Sequence, residues 1–222
     1  MHRYVTSLQA FIAPHADPSQ AAPMKRYMRD QFAYLGIKSP AQSALLKQFI
    51  AQQGLPPLEA LPAISRDLWT LPEREYQYLA ISLINKLEKK LPSDFIAILE
   101  YLLVTKSWWD TVDTLAGHPV GALFKRYPPV RKKYLKRWRA SDNFWLRRTT
   151  LLFQLGYKHD TDFDLLCELI RENLGSSEFF INKAIGWALR QYAHTNPAPV
   201  KQFVKATPEL HPLSKREALK NL

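Results

Sequence analysis

The stretch Ser107-Trp108-Trp109-Asp110-Thr111-Val112-Asp113 marks a helix start of a kind that recurs along the chain. Ser107 and Asp110 have the spacing of a capping box, in which two side chains satisfy the first backbone N–H groups of a helix. Comparable signals, each a capping residue or a proline near the first helical turn, lie at Ser39-Pro40, at Pro72-Glu73, at Ser141 or Asp142, and at Ser176 or Ser177. Ser214-Lys215-Arg216-Glu217 has the form of a last capping box.

These starts are evenly spaced. Counted at Ser39, Pro72, Ser107, Asp142 and Ser176, the intervals are 33, 35, 35 and 34 residues. Each interval has room for two helices, and the chain contains no Asn-Gly or Asp-Gly hairpin signal. We therefore predict an all-α helical-repeat solenoid, a single domain over residues 1–222, with a concave groove. An irregular helical bundle stays open, because the repeats differ in sequence.

The composition indicates a folded protein with a polyanionic partner. Of 222 residues, 46% are hydrophobic and 23% charged, which excludes disorder of the whole chain. The formal net charge is +11 and the sequence pI is near 9.7, so nucleic acid is the favoured partner, ahead of an anionic membrane surface.

The positive charge is concentrated between Lys125 and Arg148, where ten Lys and Arg residues accompany one acid, Asp142. This segment thus carries +9 of the total +11. Tyr134 and Trp138, one helical turn apart, are expected to hold the basic helix on the core. Phosphate contacts by such a segment would make binding depend strongly on salt. The alternative is a solvated basic face without a partner.

Several other classes are disfavoured. The single cysteine, Cys167, excludes an intrachain disulfide, and its apolar neighbours predict a buried, inert thiol. His118, His159 and His194 lack ligand spacing, and glycine-rich phosphate loops are absent, so no metal or cofactor is predicted.

No membrane span is predicted either. The most apolar stretch, Phe95 to Val104, is interrupted by Glu100 and is too short to cross a bilayer. Because no export signal is evident, we expect a cytoplasmic protein.

Three of the predicted repeats carry unusual residues on the polar side of a helix. Trp109 and Asp113 share one face, opposite the apolar residues Trp108, Val112 and Leu115. In the next repeat Arg148 lies beside Arg147 on the polar side. In the third repeat Trp187 falls on the face that also carries Lys183 and Arg190.

Stacking of these repeats would place Trp109, Asp113, Arg148 and Trp187 along one groove. Each Trp taken alone has a simpler explanation, namely a side chain covered by the neighbouring repeat. A carboxylate in a DNA-binding groove repels phosphate, so Asp113 is tolerable there only opposite a positive charge. This requirement suggests a reaction in which a positive charge forms near Asp113.

The same residues resemble the signature of a known family. Residues 107–113, Trp145-Leu146-Arg147-Arg148 and the stretch from Phe179 to Arg190 are similar to motifs of the AlkD family of bacterial DNA alkylation repair glycosylases. Near the N-terminus, Tyr27-Met28-Arg29 and Leu35-Gly36-Ile37-Lys38 resemble the family's opening helix and turn. The resemblance covers nearly the whole chain.

The resemblance implies tandem HEAT-like repeats and hydrolytic removal of 3-methyladenine and 7-methylguanine from duplex DNA. It implies that Asp113, Trp109 and Trp187 form the catalytic cleft and that Arg148 contacts DNA. Tyr27, Arg190, Lys183 and Arg147 are further expected DNA-contact residues. It also implies a monomer that binds alkylated duplex DNA at the bacterial nucleoid, without a membrane or a metal, and that leaves the base outside any enclosed pocket.

The chemistry agrees with these residue types. An N-alkylated purine is cationic and leaves without a general acid, while Asp113 stabilises the positive charge that develops on the deoxyribose. The indoles present electron-rich faces to the same sugar, and Arg148 holds a phosphate. We expect Asp113→Asn to slow base release without a large change in stability. A non-catalytic DNA-binding solenoid, in which Asp113 orients a neighbour, and a protein or RNA scaffold remain alternatives.

Overall fold

The computed structural model describes residues 1–220, which are helical apart from turns, connecting loops and one isolated bridge between Ala33 and Glu73. This confirms the predicted all-α fold. The helices form two compact units, Met1–Ile98 and Leu99–Leu222. The prediction of a single domain over residues 1–222 stays a prediction. No helix within residues 1–220 is long and apolar enough to cross a membrane.

The first unit contains five helices and the start of a sixth. They are α1 (Arg3–Ile12), α2 (Pro18–Tyr27), α3 (Ser39–Gln53), α4 (Leu61–Thr70), α5 (Arg74–Leu87) and α6 (Ile96–Val104). The second unit continues with α7 (Trp109–Leu115), α8 (Gly121–Arg126), α9 (Pro128–Arg139), α10 (Phe144–Leu152), α11 (Phe163–Arg171), α12 (Phe179–Ala193), α13 (Pro197–Ala206) and α14 (Pro212–Ala218).

The repeat is more regular than the sequence signals predicted. Helices α3, α5, α7, α10 and α12 begin at Ser39, Arg74, Trp109, Phe144 and Phe179, which are 35 residues apart at every step. Each of these five helices is followed by the second helix of its repeat, namely α4, α6, α9, α11 and α13, and α8 is an additional short helix after α7. This alternation is the pattern of a two-helix repeat, and it confirms the helical-repeat prediction.

In the second unit the alternating helices form two layers. Side chains of α7, α10 and α12 bind one another, and we call these three helices the site layer. Helices α6, α9 and α11 are joined in the same way by ion pairs and form the second layer. Helix α10 also packs against α9 and α11, which joins the two layers.

The predicted helix caps lie one to three residues from the observed ones. They are too early at Ser107, at Ser141 or Asp142, and at Ser176 or Ser177, and too late at Ser39 and Ser214. The capping box at Ser107 is wrong, because the Ser107 hydroxyl donates to the Leu103 carbonyl (2.6 Å) and Trp108 occupies the cap position. Helix α10 is capped by Asn143, whose Oδ1 accepts from the Trp145 N–H (2.9 Å).

Helix α12 is capped by Glu178, which accepts from the Phe180 N–H, rather than by Ser176 or Ser177. The capping box at Ser214 is also wrong. Ser214 lies inside α14 and donates to the Asn182 carbonyl of α12, while His211 caps the helix. Helix α3 begins at Ser39 itself, after Lys38 at the cap position.

Buried polar groups organise the first unit. The Glu75 side chain is fully buried and accepts hydrogen bonds from the backbone N–H groups of Leu35, Gly36 and Ile37 at 3.0, 2.9 and 3.1 Å. A buried carboxylate needs such partners, since an unpaired charge in the interior is very unfavourable. The turn that resembles the family's opening segment is therefore fixed by α5.

The second unit has an apolar core that includes the only cysteine. Cys167 is buried, as predicted, and burial raises the pKa of its thiol to about 11. A thiol with so little thiolate at neutral pH is a poor nucleophile.

A substitution at Gly36 tests the turn that Glu75 binds. Its φ is +90°, and a Cβ atom there would lie 2.0 Å from the Asp17 carbonyl oxygen, whereas Gly54, at φ +76°, has open space around it. Gly54→Ala should therefore cost only backbone strain, about 1–3 kcal/mol, because φ +76° with ψ 173° is a conformation that glycine alone adopts readily. Gly36→Ala adds a backbone clash and should cost about 2 kcal/mol more. Urea unfolding of both variants measures the difference, and equal losses would contradict the role of the close approach.

Candidate functional site

Three charged residues occupy the same position in successive repeats. Asp113, Arg148 and Lys183 are each the fifth residue of their helices, α7, α10 and α12, and are separated by 35 residues. Helices that stack as repeats bring equivalent positions side by side. The sequence spacing thus becomes a row of charged positions across the site layer.

Asp113 and Arg148 form a two-point ion pair. Arg148 Nε donates to Asp113 Oδ1 and Arg148 Nη2 donates to Asp113 Oδ2, both at 2.7 Å. Arg148 Nη1 donates to the Phe180 carbonyl of α12. One guanidinium therefore connects all three helices of the site layer.

This pair is largely removed from water. The Arg148 side chain is 3% exposed and the Asp113 side chain 11%. Burial raises the pKa of the Asp113 carboxyl, whereas the hydrogen bonds and charge of Arg148 act to lower it. Because isolated buried charges are strongly unfavourable, each charge of the pair compensates the other.

The sequence analysis placed Arg148 on a polar face as a phosphate contact. The structure shows it facing Asp113 and almost completely covered. A guanidinium has five N–H donors, and three of them are used in these contacts. The phosphate contact stays a prediction, and it is restricted to the two remaining donors.

An aromatic cluster lies beside Arg148. The ring of Phe180 lies 5.2 Å from that of Trp108 and 4.9 Å from that of Trp145, and Arg148 Cζ lies 5.9 Å from the same ring. The Trp108 indole N–H is buried without a hydrogen-bond partner in the described part of the chain. The sequence had assigned Trp108 and Trp145 to apolar helix faces, and both do pack inside this unit.

The two other predicted tryptophans are half-buried and lie outside the core. Trp109 is the first residue of α7, one turn before Asp113, and Trp187 lies one turn after Lys183 on α12. These helix positions place the two tryptophans on opposite sides of the row formed by Asp113, Arg148 and Lys183. The part of Trp109 and Trp187 in a catalytic cleft stays a prediction.

Lys183 and Arg190 share a partner that the sequence analysis missed. Lys183 Nζ lies 2.8 Å from Glu217 Oε1, and Arg190 Nη1 donates to Glu217 Oε2 at 2.7 Å. Lys183, followed by Arg190, holds the pKa of Glu217 below its ordinary value. Glu217 reaches both cations because α14 approaches α12 at Gly186, where a Cβ atom would lie 2.5 Å from the Glu217 Cβ.

The two remaining predicted DNA-contact residues are Arg147 and Tyr27. Arg147 is half-buried and donates to the Ser141 carbonyl. Tyr27 is the last residue of α2 in the first unit and is 74% exposed. The concave groove and the DNA contacts of both residues stay predictions. Within residues 1–220, no group of three or more His, Cys, Asp or Glu side chains is arranged to hold a metal ion.

Taken together, these features define an α-helical repeat protein with a buried acid–arginine pair and basic residues along one helix layer. The chain belongs to the DNA alkylation repair enzyme family, whose model matches residues 8–222. A solved structure described as a predicted DNA alkylation repair enzyme from Enterococcus faecalis is similar, with 36% sequence identity and a TM-score of 0.84. The similarity covers 93% of this chain and 96% of that one. No curated protein matches the chain.

The buried pair predicts a specific pattern of stabilities. Arg148→Met leaves the Asp113 charge buried without compensation and should cost about 3–5 kcal/mol. The double variant Asp113→Asn/Arg148→Met removes both charges, so it should be more stable than Arg148→Met alone. Urea unfolding of the two single variants and the double variant measures this coupling. Additive losses would show that the two side chains do not depend on each other.

The pKa of Glu217 predicts a pH effect. A carboxyl with a lowered folded-state pKa stabilises the protein above its unfolded pKa, and this contribution disappears as the pH falls through the folded-state value. Glu217→Gln should therefore be less stable than the parent at pH 7, and the difference should shrink as the pH falls below about 4. Thermal unfolding across this range is the measurement. Glu209→Gln, an exposed change before α14, is the control and should show no such trend.

Proposed function

We propose that this member of the DNA alkylation repair enzyme family is a DNA glycosylase. Its proposed substrates are positively charged N-alkylated purines, 3-methyladenine and 7-methylguanine, in duplex DNA. The observation that carries the proposal is the Asp113 carboxylate, oriented through both oxygens by Arg148 in a nearly dry setting. We further propose that the protein acts as a monomer in the cytoplasm, at the nucleoid.

The reaction needs stabilisation of a cation more than proton transfer. A purine alkylated at N3 or N7 already carries a positive charge and departs as a neutral base when the glycosidic bond breaks. The deoxyribose then acquires the positive charge. A fixed carboxylate lowers the energy of this state, because its orientation is established before the reaction. Water adds to the sugar carbon, with Asp113 as the acceptor for its proton.

Arg148 has two effects on such a carboxylate. Its hydrogen bonds and charge oppose the burial that raises the pKa of the Asp113 carboxyl. It also compensates part of the negative charge, which weakens the attraction for a distant cation. A cationic sugar must therefore come into contact with the exposed edge of Asp113. We propose that Trp109 and Trp187 provide this contact by stacking against the nucleotide.

The ion pair also favours a second candidate function. A carboxylate held through both oxygens is well explained as the counter-charge of a buried arginine. In that case the chain is a non-catalytic DNA-binding protein of the same fold. The same geometry gives Asp113→Asn a structural cost that the sequence analysis did not expect. Rate and stability therefore have to be measured on the same variants.

Single-turnover release of 7-methylguanine from a duplex tests the proposal. Asp113→Asn should lower the rate about 100-fold, equivalent to about 3 kcal/mol of transition-state stabilisation. Asp164→Asn removes an exposed carboxylate from α11 in the second layer and should leave the rate unchanged. Both variants are assayed well below their unfolding midpoints. Tight DNA binding without release by the parent protein would establish the non-catalytic alternative.

A duplex with uracil in place of 7-methylguanine is the chemical control. Uracil is uncharged and needs activation of the leaving group, which this site does not provide. It should therefore be released at the uncatalysed rate. Comparable release of both bases would contradict the mechanism while leaving the assignment to a repair enzyme intact.

A further inference from the structure

The positive charge of this protein and its candidate site occupy different layers. Helix α9, the centre of the basic segment, lies in the second layer with α6 and α11, whereas Asp113 and Arg148 lie in the site layer. The buried side of α9, formed by Leu135 and Trp138, faces the core. Phosphate contacts were predicted for this segment from the sequence.

Two arginines of α9 form ion pairs with neighbouring helices. Arg137 pairs with Glu100 of α6, and Arg139 pairs with Glu168 and Glu172 of α11. These arginines hold the second layer together, which suits the forked geometry of a guanidinium. The lysines of the same helix do not take part in such pairs.

Three lysines form the exposed side of α9. Lys132, Lys133 and Lys136 are exposed, and none of them has an acidic partner in the described part of the chain. Lys133 and Lys136 lie nearly opposite the buried side of the helix at its 100° per residue rotation. We call these three residues the lysine face. Its charge is uncompensated, because neighbouring acids are occupied by Arg137 and Arg139.

The candidate site, in contrast, is nearly balanced in charge. Its ion pairs join three cations, Arg148, Lys183 and Arg190, to two anions, Asp113 and Glu217, which leaves a charge of +1. The lysine face carries +3. Attraction for a polyanion is therefore stronger at the second layer than at these pairs.

We infer that the lysine face is a second binding surface for duplex DNA, separate from the site of base release. This inference rests on the proposed function, since DNA is taken as the polyanion. Two packed helix layers span roughly 20 Å from outer side chain to outer side chain. A straight duplex lying on the site layer does not reach the lysine face. A second segment of DNA contacts the phosphate-binding lysines instead and keeps the protein on long DNA between encounters with lesions.

The test compares DNA binding on short and long duplexes. The site layer, three helices wide, covers about 30 Å, or one helical turn of about 10 base pairs. At low salt the parent protein should bind a second unmodified duplex of this length, as measured by sedimentation equilibrium. The variant K132A/K133A/K136A should bind one duplex fewer. On long duplex, its slope of log affinity against log salt should be less steep by about 3, or 0.9 for each phosphate contact.

A matched variant controls for charge alone. K201A/K205A/K220A removes the same charge from exposed positions on and after α13, and it should bind DNA as the parent does. Release of 7-methylguanine from the short duplex should be unchanged in both variants. Because binding is measured on unmodified DNA, absence of base release would overturn the proposed function without affecting this test.

Two results would overturn the inference. Equal stoichiometry and equal salt slopes for the parent and the K132A/K133A/K136A variant would show that the lysine face is a solvated surface. Loss of all duplex binding, with unchanged thermal unfolding, would show that the lysines belong to the same DNA site as Asp113. Both variants retain the arginine pairs of the second layer, so the fold is preserved in each experiment.

Discussion

The ion pair between Asp113 and Arg148 is the constraint on which the site layer depends. A guanidinium with 3% of its side chain exposed is tolerable only opposite a fixed anion, and Asp113 supplies that anion through both oxygens. The third contact, to the Phe180 carbonyl, extends the connection to α12. The pair thus fixes the orientation of a carboxylate and the relative positions of three helices at the same time. Orientation established by folding is what electrostatic catalysis requires, because it avoids reorganisation during the reaction.

The 35-residue period converts a sequence pattern into a spatial one. Since α7, α10 and α12 begin at equivalent positions, the fifth residues Asp113, Arg148 and Lys183 form one row. The carboxylate and the guanidinium of the buried pair belong to different helices, α7 and α10, and each helix covers the charge of the other. Stacked repeats bring equivalent helix positions side by side. Opposite charges at the same position of two neighbouring repeats therefore form an ion pair. Lys183 continues the row, but its partner is Glu217 of α14 rather than a residue of the preceding repeat.

The spacing of helix starts was predictable, because capping residues and prolines mark them in any helical chain. The individual caps were not, since a serine hydroxyl serves several backbone groups equally well, as Ser107 does with the Leu103 carbonyl. The candidate site was predictable in part. Helical periodicity separates the faces of one helix but says nothing about the next helix, so Arg148 was assigned to solvent when α7 covers it. Glu217 was missed for the same reason. Its role follows from the close approach of α14 to Gly186, which no local pattern encodes.

Net charge and chemistry are separate properties in this chain. A value of +11 indicates a polyanionic partner, yet the ion-paired residues of the candidate site contribute only +1 to it. In the proposed reaction, a site that stabilises a developing cation cannot carry a strongly positive field, because that field would oppose the charge on the sugar. Attraction for the phosphate backbone is therefore better supplied at a distance from the reacting atoms. The second layer meets this condition. Arg137 and Arg139 hold α9 to α6 and α11, and Lys132, Lys133 and Lys136 remain in solvent, where a strongly hydrated ammonium is most stable.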